Sequence, residues 1–200
     1  MKIKICGLTR LVDVEAVNAL KPDYVGFVFA PTSKRRVTPD QAAELKRALD
    51  PAIEAVGVFV DETPENVAKL LDDGVIDLAQ LHGSEDDVCL QELRQLTTKP
   101  IIRAFRVRSE QDVLDAEKSP AEHILLDAGA GTGTTFDWSL LRKVRRPYFL
   151  AGGLNLGNID AALELNPYAV DVSSGIETDG LKDQKKMAEF VAAVRKKDIK

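Results

Sequence analysis

The sequence predicts an α/β protein built as a single (β/α)8 barrel, eight parallel strands each followed by a helix, over residues 1–200 as one catalytic domain. Three observations predict it. Short β-branched or aromatic runs recur at roughly 20 to 30 residue spacing, and each is followed by a segment of helical character. The runs are nearly continuous in apolar residues, as strands covered on both faces should be. No Pro/Gly/Ser-rich linker divides the chain. Strict alternation demands parallel strands with right-handed crossovers. Eight such units close a barrel whose usual length is about 250 residues, with a lower bound near 200. An open doubly wound sheet has fewer strands and would leave two of the runs unexplained.

The strands are expected at KIKIC (2–6), YVGFVF (24–29), EAVGVFV (54–60), DLAQL (77–81), PIIRAF (100–105), HILLD (123–127), PYFLA (147–151) and AVDVS (169–173). Between them, VDVEAVNAL carries spaced apolar positions. TPDQAAELKRAL opens on Thr38 as N-cap with Pro39 in the first turn, and TPENVAKLLDDG repeats that start at Thr63 and Pro64 before stopping at Gly74. SEDDVCLQELRQL, SEQDVLDAE, DWSLLRKV, NLGNIDAALEL and LKDQKKMAEFVAAVRKK supply the remaining helices.

Composition narrows the function. With 44% hydrophobic residues, 30% charged residues of both signs and a formal net charge of -5, the chain has no general attraction for nucleic acid or acidic membranes. No apolar run approaches the roughly 20 residues of a membrane helix, and MKIKICGLTR is too short in apolar residues for a signal peptide. Cys6 and Cys89 make no disulfide framework and fit a reducing, cytoplasmic setting. With two histidines, His82 and His123, and no CxxC or HExxH, no metal is expected. The expected partner is a small molecule, and oligomeric state is not legible here.

In barrels of this kind chemistry sits at the C-terminal ends of the strands. Sorted by that rule, Cys6 ends strand 1, the basic loop TSKRR (32–36) follows strand 2, His82 follows strand 4, Arg103 lies near the end of strand 5 and Asp127 ends strand 6. AGG (151–153) and SSG (173–175) end strands 7 and 8. Glycines there let backbone N–H groups approach a phosphate closely, and a nearby helix N-terminus would add favourable charge. His123 begins a strand and belongs to the opposite face, while Cys89 falls within a helix. Cys6 reads either as a small buried hydrophobe or as one half of an acid–base pair with Asp127. His82 reads equally as a loop histidine bonded to backbone or as a substrate contact. Lys34, Arg35 and Arg36 are either a solvated charge run or the source of a bidentate contact to a carboxylate.

KICGLT (4–9), GFVFAPTSKRRVTPDQA (26–42), QLHG (80–83), LLDAGAGTGTTFDW (125–138), LAGGLN (150–155) and VDVSSGIE (170–177) together closely resemble phosphoribosylanthranilate isomerase of tryptophan biosynthesis, in order and along essentially the whole chain. Ala130 departs from that pattern, standing where the family commonly has a second glycine before Gly-Thr-Gly; the substitution stiffens the segment slightly and leaves Asp127 untouched. The resemblance implies an Amadori rearrangement without metal or organic cofactor. It implies Asp127 as general acid on the furanose oxygen and Cys6 as general base on the C2′ proton. It places the anthranilate carboxylate on Arg35 and the phosphate on the backbone around Gly152, Gly153, Ser174 and Gly175, with His82 and Asp171 near the sugar. Two tunings are then expected: a thiolate favoured by the N-terminus of helix 1, and an Asp127 carboxyl raised by desolvation under the GAGTG segment. Rival readings are another sugar-phosphate isomerase or epimerase on a phosphate-binding barrel, or a non-catalytic phosphate-ligand binding module. A histidine-pathway isomerase would pair two aspartates where this chain has Cys6, and an epimerase commonly uses metal.

Overall fold

Parallel strands joined by helices form a closed cylinder when the last strand can pair with the first. The computed structural model of this chain describes residues 1–127 and 138–197. Its barrel strands are β1 (Lys2–Cys6), β2 (Tyr24–Val28), β3 (Glu54–Phe59), β4 (Leu78–Leu81), β5 (Ile101–Arg106), β6 (His123–Asp127), β7 (Tyr148–Ala151) and β8 (Ala169–Val172). They pair in sequence order, all parallel, and β8 returns to β1 with Lys2 opposite Ala169, Lys4 opposite Asp171 and Ile5 opposite Val172. The (β/α)8 architecture is the one expected from the alternating pattern.

The helices are α1 (Leu11–Leu20), α2 (Pro39–Ala48), α3 (Pro64–Asp72), α4 (Asp87–Leu96), α5 (Glu110–Lys118), α6 (Ile159–Leu163) and α7 (Gln184–Lys197), with a 3₁₀ helix at Trp138–Lys143. Local chemistry sets most of their starts. The Thr38 hydroxyl accepts from the Gln41 N–H in a reciprocal capping box, and Thr63 accepts from Asn66 N–H, each ahead of a proline at the first turn. Gly74 takes a left-handed φ of +70° just past α3, where a side chain would be strained.

Four expectations are corrected. The sixth helix is a six-residue 3₁₀ segment, Trp138–Lys143, and not an α-helix. The seventh begins at Ile159, not Asn155: Asn155 and Asn158 turn their side chains onto the N–H groups of Gly157 and Asn155, holding the chain in a loop. The fourth begins at Asp87 because Ser84 is bonded to Asp61, leaving Asp86 to cap the N–H groups of Val88 and Cys89. The eighth begins at Gln184, because Leu181 and Lys182 form β10 and pair antiparallel with β9 (Glu177–Thr178).

Side-chain alternation divides the strands between two cores. Outward residues such as Ile3, Ile5, Val25 and Phe27 pack under the helices. Inward residues Tyr24, Val56, Leu78, Ile102, Leu125, Phe149 and Ala169 fill the barrel as a separate cluster, so its lower interior is solid and only its mouth is open. Phe149 is fully buried there. Phe149→Ala is expected to cost about 3–5 kcal/mol, read as a lower urea midpoint with unchanged slope.

Candidate active site

The mouth of the barrel begins at Cys6, the last inward residue of β1. Its neighbour across the β1–β2 pairing is Gly26, and a Cβ there would lie 2.6 Å from the Cys6 sulfur. Glycine at 26 therefore makes the space that the thiol occupies. Gly7 follows with φ +85°, and a Cβ on it would overlap Cδ of Arg35. A glycine after Cys6 thus serves two needs: a backbone turn that L-residues avoid, and passage for the Arg35 side chain.

Above the packed interior lies a cavity of about 330 Å³. Cys6, Asp127, His82, Asp171 and Arg35 all line it, as do Gly152, Gly153 and Ser174. Gly175 does not. A Cβ on Gly175 would run into the Leu154 carbonyl and lie 2.9 Å from the Asn155 Cα, so this glycine lets the loops after β7 and β8 pack together. Gly152 and Gly153 have φ of +95° and +67°, a consecutive left-handed turn that glycine alone adopts without strain. After the glycine pair the chain enters α6, a five-residue helix starting at Ile159, and the hairpin β9–β10 separates Ser174 from α7.

The charged groups form two connected sets. On one wall, Gln80 Nε2 donates to His82 Nδ1 at 2.7 Å, which leaves the His82 Nε2–H facing Asp127 Oδ2 at 3.2 Å. On the other, the Arg35 guanidinium forks onto Glu177 at 2.6 and 2.7 Å, and Lys182 Nζ meets the same carboxylate at 2.5 Å. Burial raises the Glu177 carboxyl, but these two cations outweigh it and hold the pKa below the usual range. Deeper, Lys4 Nζ bonds Asp171 Oδ2 at 2.9 Å, with both residues buried.

Burial pushes the Cys6 thiol upward, opposed by the ammonium groups of Lys4 and Lys182. The expectation of a thiolate favoured by helix 1 is therefore corrected. The first-turn carboxylate Asp13 already takes the N–H groups of Thr9 and Arg10 at that helix end. The segment expected to close over Asp127, with Ala130 in it, lies outside the described residues.

Arg103, expected from its place near the end of strand 5 to line the mouth as a structural or substrate-carboxylate residue, does not line the cavity. Its guanidinium pairs with Asp87 of α4 and lies 5.0 Å from the Phe105 ring centroid, on the outer surface of β5. Arg106 lines the cavity instead. Ile102, Ala104 and Arg106 share the inward parity, so extending the strand by one residue would have found it. The same parity marks Lys4 and Gln80, which sequence reasoning passed over. Glu177 and Lys182 had no such signal, since they lie past the last barrel strand. Lys34 and Arg36 are exposed on either side of the half-buried Arg35. His123 opens β6 at the opposite end, stacked on Tyr168 at 5.9 Å, and burial lowers its pKa. Among the described residues no group of three His, Cys, Asp or Glu side chains could hold a metal ion, and no helix is long and apolar enough to cross a membrane.

Residues 3–193 match the family profile described as N-(5'phosphoribosyl)anthranilate (PRA) isomerase. The chain belongs to this family. The isomerase relative from Endomicrobium trichonymphae is 46% identical over 200 residues, covering 97% of this chain and 98% of its own. The crystal structure of phosphoribosyl anthranilate isomerase from Thermotoga maritima superposes with a TM-score of 0.89 at 36% identity, covering 98% of this chain and 99% of that one. A further isomerase structure, at TM-score 0.87 and 36% identity over 98% of this chain and 99% of that one, is a complex with reduced 1-(o-carboxyphenylamino)-1-deoxyribulose 5-phosphate. Family membership over nearly the full length makes the chain an isomerase of a sugar-phosphate derivative.

Proposed function

We propose that the chain converts N-(5-phosphoribosyl)anthranilate into 1-(2-carboxyphenylamino)-1-deoxyribulose 5-phosphate, with Asp127 as general acid and Cys6 as general base. The observation that carries the reading is that both groups border one open cavity together with an arginine and a glycine turn. Asp127 donates its proton to the furanose oxygen as the C1′–O bond breaks, leaving a C1′=N iminium. The Cys6 thiolate removes the C2′ proton, and the electron pair moves to the iminium to give an enolamine. Tautomerisation of that enolamine gives the ketone. No redox partner is needed, because C1′ is reduced as C2′ is oxidised within the substrate, and the proton that Asp127 gives is balanced by the one that Cys6 takes.

The binding roles follow from charge and shape. Arg35, anchored by Glu177, takes the anthranilate carboxylate. The turn at Gly152 and Gly153 and the Ser174 backbone cradle the phosphate; Gly175 supports them by packing against the Leu154–Asn155 backbone. Asp171 Oδ1 is buried without a hydrogen-bond partner, which suits it to a sugar hydroxyl. His82, one hydrogen bond from Asp127, sits beside the ring oxygen. Two free cysteines and the acidic balance agree with work on a small molecule in the cytoplasm.

The test is to mix purified protein with freshly made phosphoribosylanthranilate, without added metal, and follow the deoxyribulose product. Conversion is expected; a folded protein that leaves the substrate unchanged overturns the proposal. Arg35→Ala is expected to raise KM by about 10- to 100-fold, the loss of a charged hydrogen-bond pair worth about 1.5–3 kcal/mol. Its kcat should change little, because that contact exists in ground and transition states alike. An unchanged KM with a collapsed kcat would show the role to be misassigned.

A further inference from the structure

Lys4 is among the largest fully buried side chains of the protein, directed into a barrel whose lower interior is apolar. A buried lysine–aspartate pair is costly to desolvate, and well-packed hydrophobic residues would serve stability as well or better. Its ammonium is not used up by Asp171. That contact goes to Oδ2 alone, while Oδ1 has no hydrogen-bond partner. The ammonium has further donors, and its charge favours ionisation of the Cys6 thiol. The geometry is simple: Lys4 and Cys6 are two residues apart on β1, both directed inward, with Lys4 one layer deeper.

We infer that Lys4 is the positioning residue that makes Cys6 a base, its ammonium held in place by Asp171 and serving as the counter-charge of the Cys6 thiolate. The inference rests on the proposed base role of Cys6. Before substrate binds, Cys6 S–H releases its proton to solvent through the open mouth, and the sulfur's negative charge is then balanced by Lys4. During the reaction the thiolate takes the C2′ hydrogen as a proton and becomes S–H again. Lys4 keeps its own proton throughout. The remaining charged groups around the sulfur are Asp171 on β8, which opposes ionisation, Lys182 on β10, which favours it, and Arg35 with Glu177 at the rim. His82 just after β4, Arg106 at the end of β5 and Asp127 at the end of β6 also line the cavity.

The experiment is the pH dependence of Cys6 alkylation by iodoacetamide, in a Cys89→Ser background so that one thiol reports. Lys4→Met is expected to move the titration midpoint up by about one unit or more. Asp171→Asn is expected to move it down, because the ammonium loses its other anion; a purely structural pair would not shift the thiol in opposite directions. If Lys4→Met does not fold, Lys4→Gln, which also removes the charge, takes its place with the same expected upward shift. Midpoints that stay at the parent value overturn the role of Lys4, and the base role of Cys6 survives if the acidic limb of kcat/KM still follows the alkylation midpoint. Midpoints that move while that limb stays fixed overturn the base role itself.

Discussion

Cys6→Ala is expected to lower kcat by about 10²- to 10⁴-fold, the usual contribution of a positioned acid or base, while KM changes little. The fold should survive the change. Cys6 sits in a small cluster with Val28, Ala30 and Val58 at the open end of the barrel, not in the packed interior. The sulfur borders the open cavity, so its loss enlarges that cavity and leaves no void in the packed interior. Circular dichroism and a thermal melt would check that the variant is folded, and turnover of phosphoribosylanthranilate would check the role. A variant with near-parental kcat would remove Cys6 from the mechanism. The wild-type pH profile carries the same information with a definite sign. Burial raises the thiol pKa above its ordinary value. The active form is the thiolate, so kcat/KM should increase with pH from neutrality towards that raised pKa, about tenfold per unit on the acidic side.

Asp127→Asn is the second large effect, again about 10²- to 10⁴-fold in kcat. The substitution keeps the size of the side chain, and its amide oxygen can still accept the His82 Nε2–H that now meets Oδ2 at 3.2 Å. What disappears is the proton that the carboxyl delivers to the ring oxygen. Stability and KM should therefore stay close to the parent, and single-turnover kinetics should show the loss in the ring-opening step. Retained activity would transfer the acid role to another group, with His82 the first to examine because its imidazole already faces the same part of the cavity.

The barrel was legible because its signal is redundant. Eight apolar runs had to be buried on both faces, and no arrangement with fewer strands accounts for all of them. Thr38 and Thr63 announced helix starts because an N-cap hydrogen bond acts within four residues and needs no tertiary partner. Helix starts at Ser84, Asn155 and Leu181 were misread where the deciding contact came from a side chain in a loop or from a hairpin partner. Arg103 and Arg106 show how small the margin is. A strand read one residue short left out Arg106, the arginine whose inward parity puts it in the cavity.

Sequence alone determined the alternation, hence the barrel, and it determined which reactive groups stand at strand ends: Cys6, Asp127 and the glycines at 152 and 153. Only the tertiary structure decided their surroundings. Closure of β8 onto β1 sets Asp171 opposite Lys4, two residues 167 apart in the chain, and the hairpin after β8 carries Glu177 and Lys182 back to Arg35. The acidity of Cys6 depends on burial and on charges delivered by those distant segments, and Coulomb interactions act through space, not along the chain.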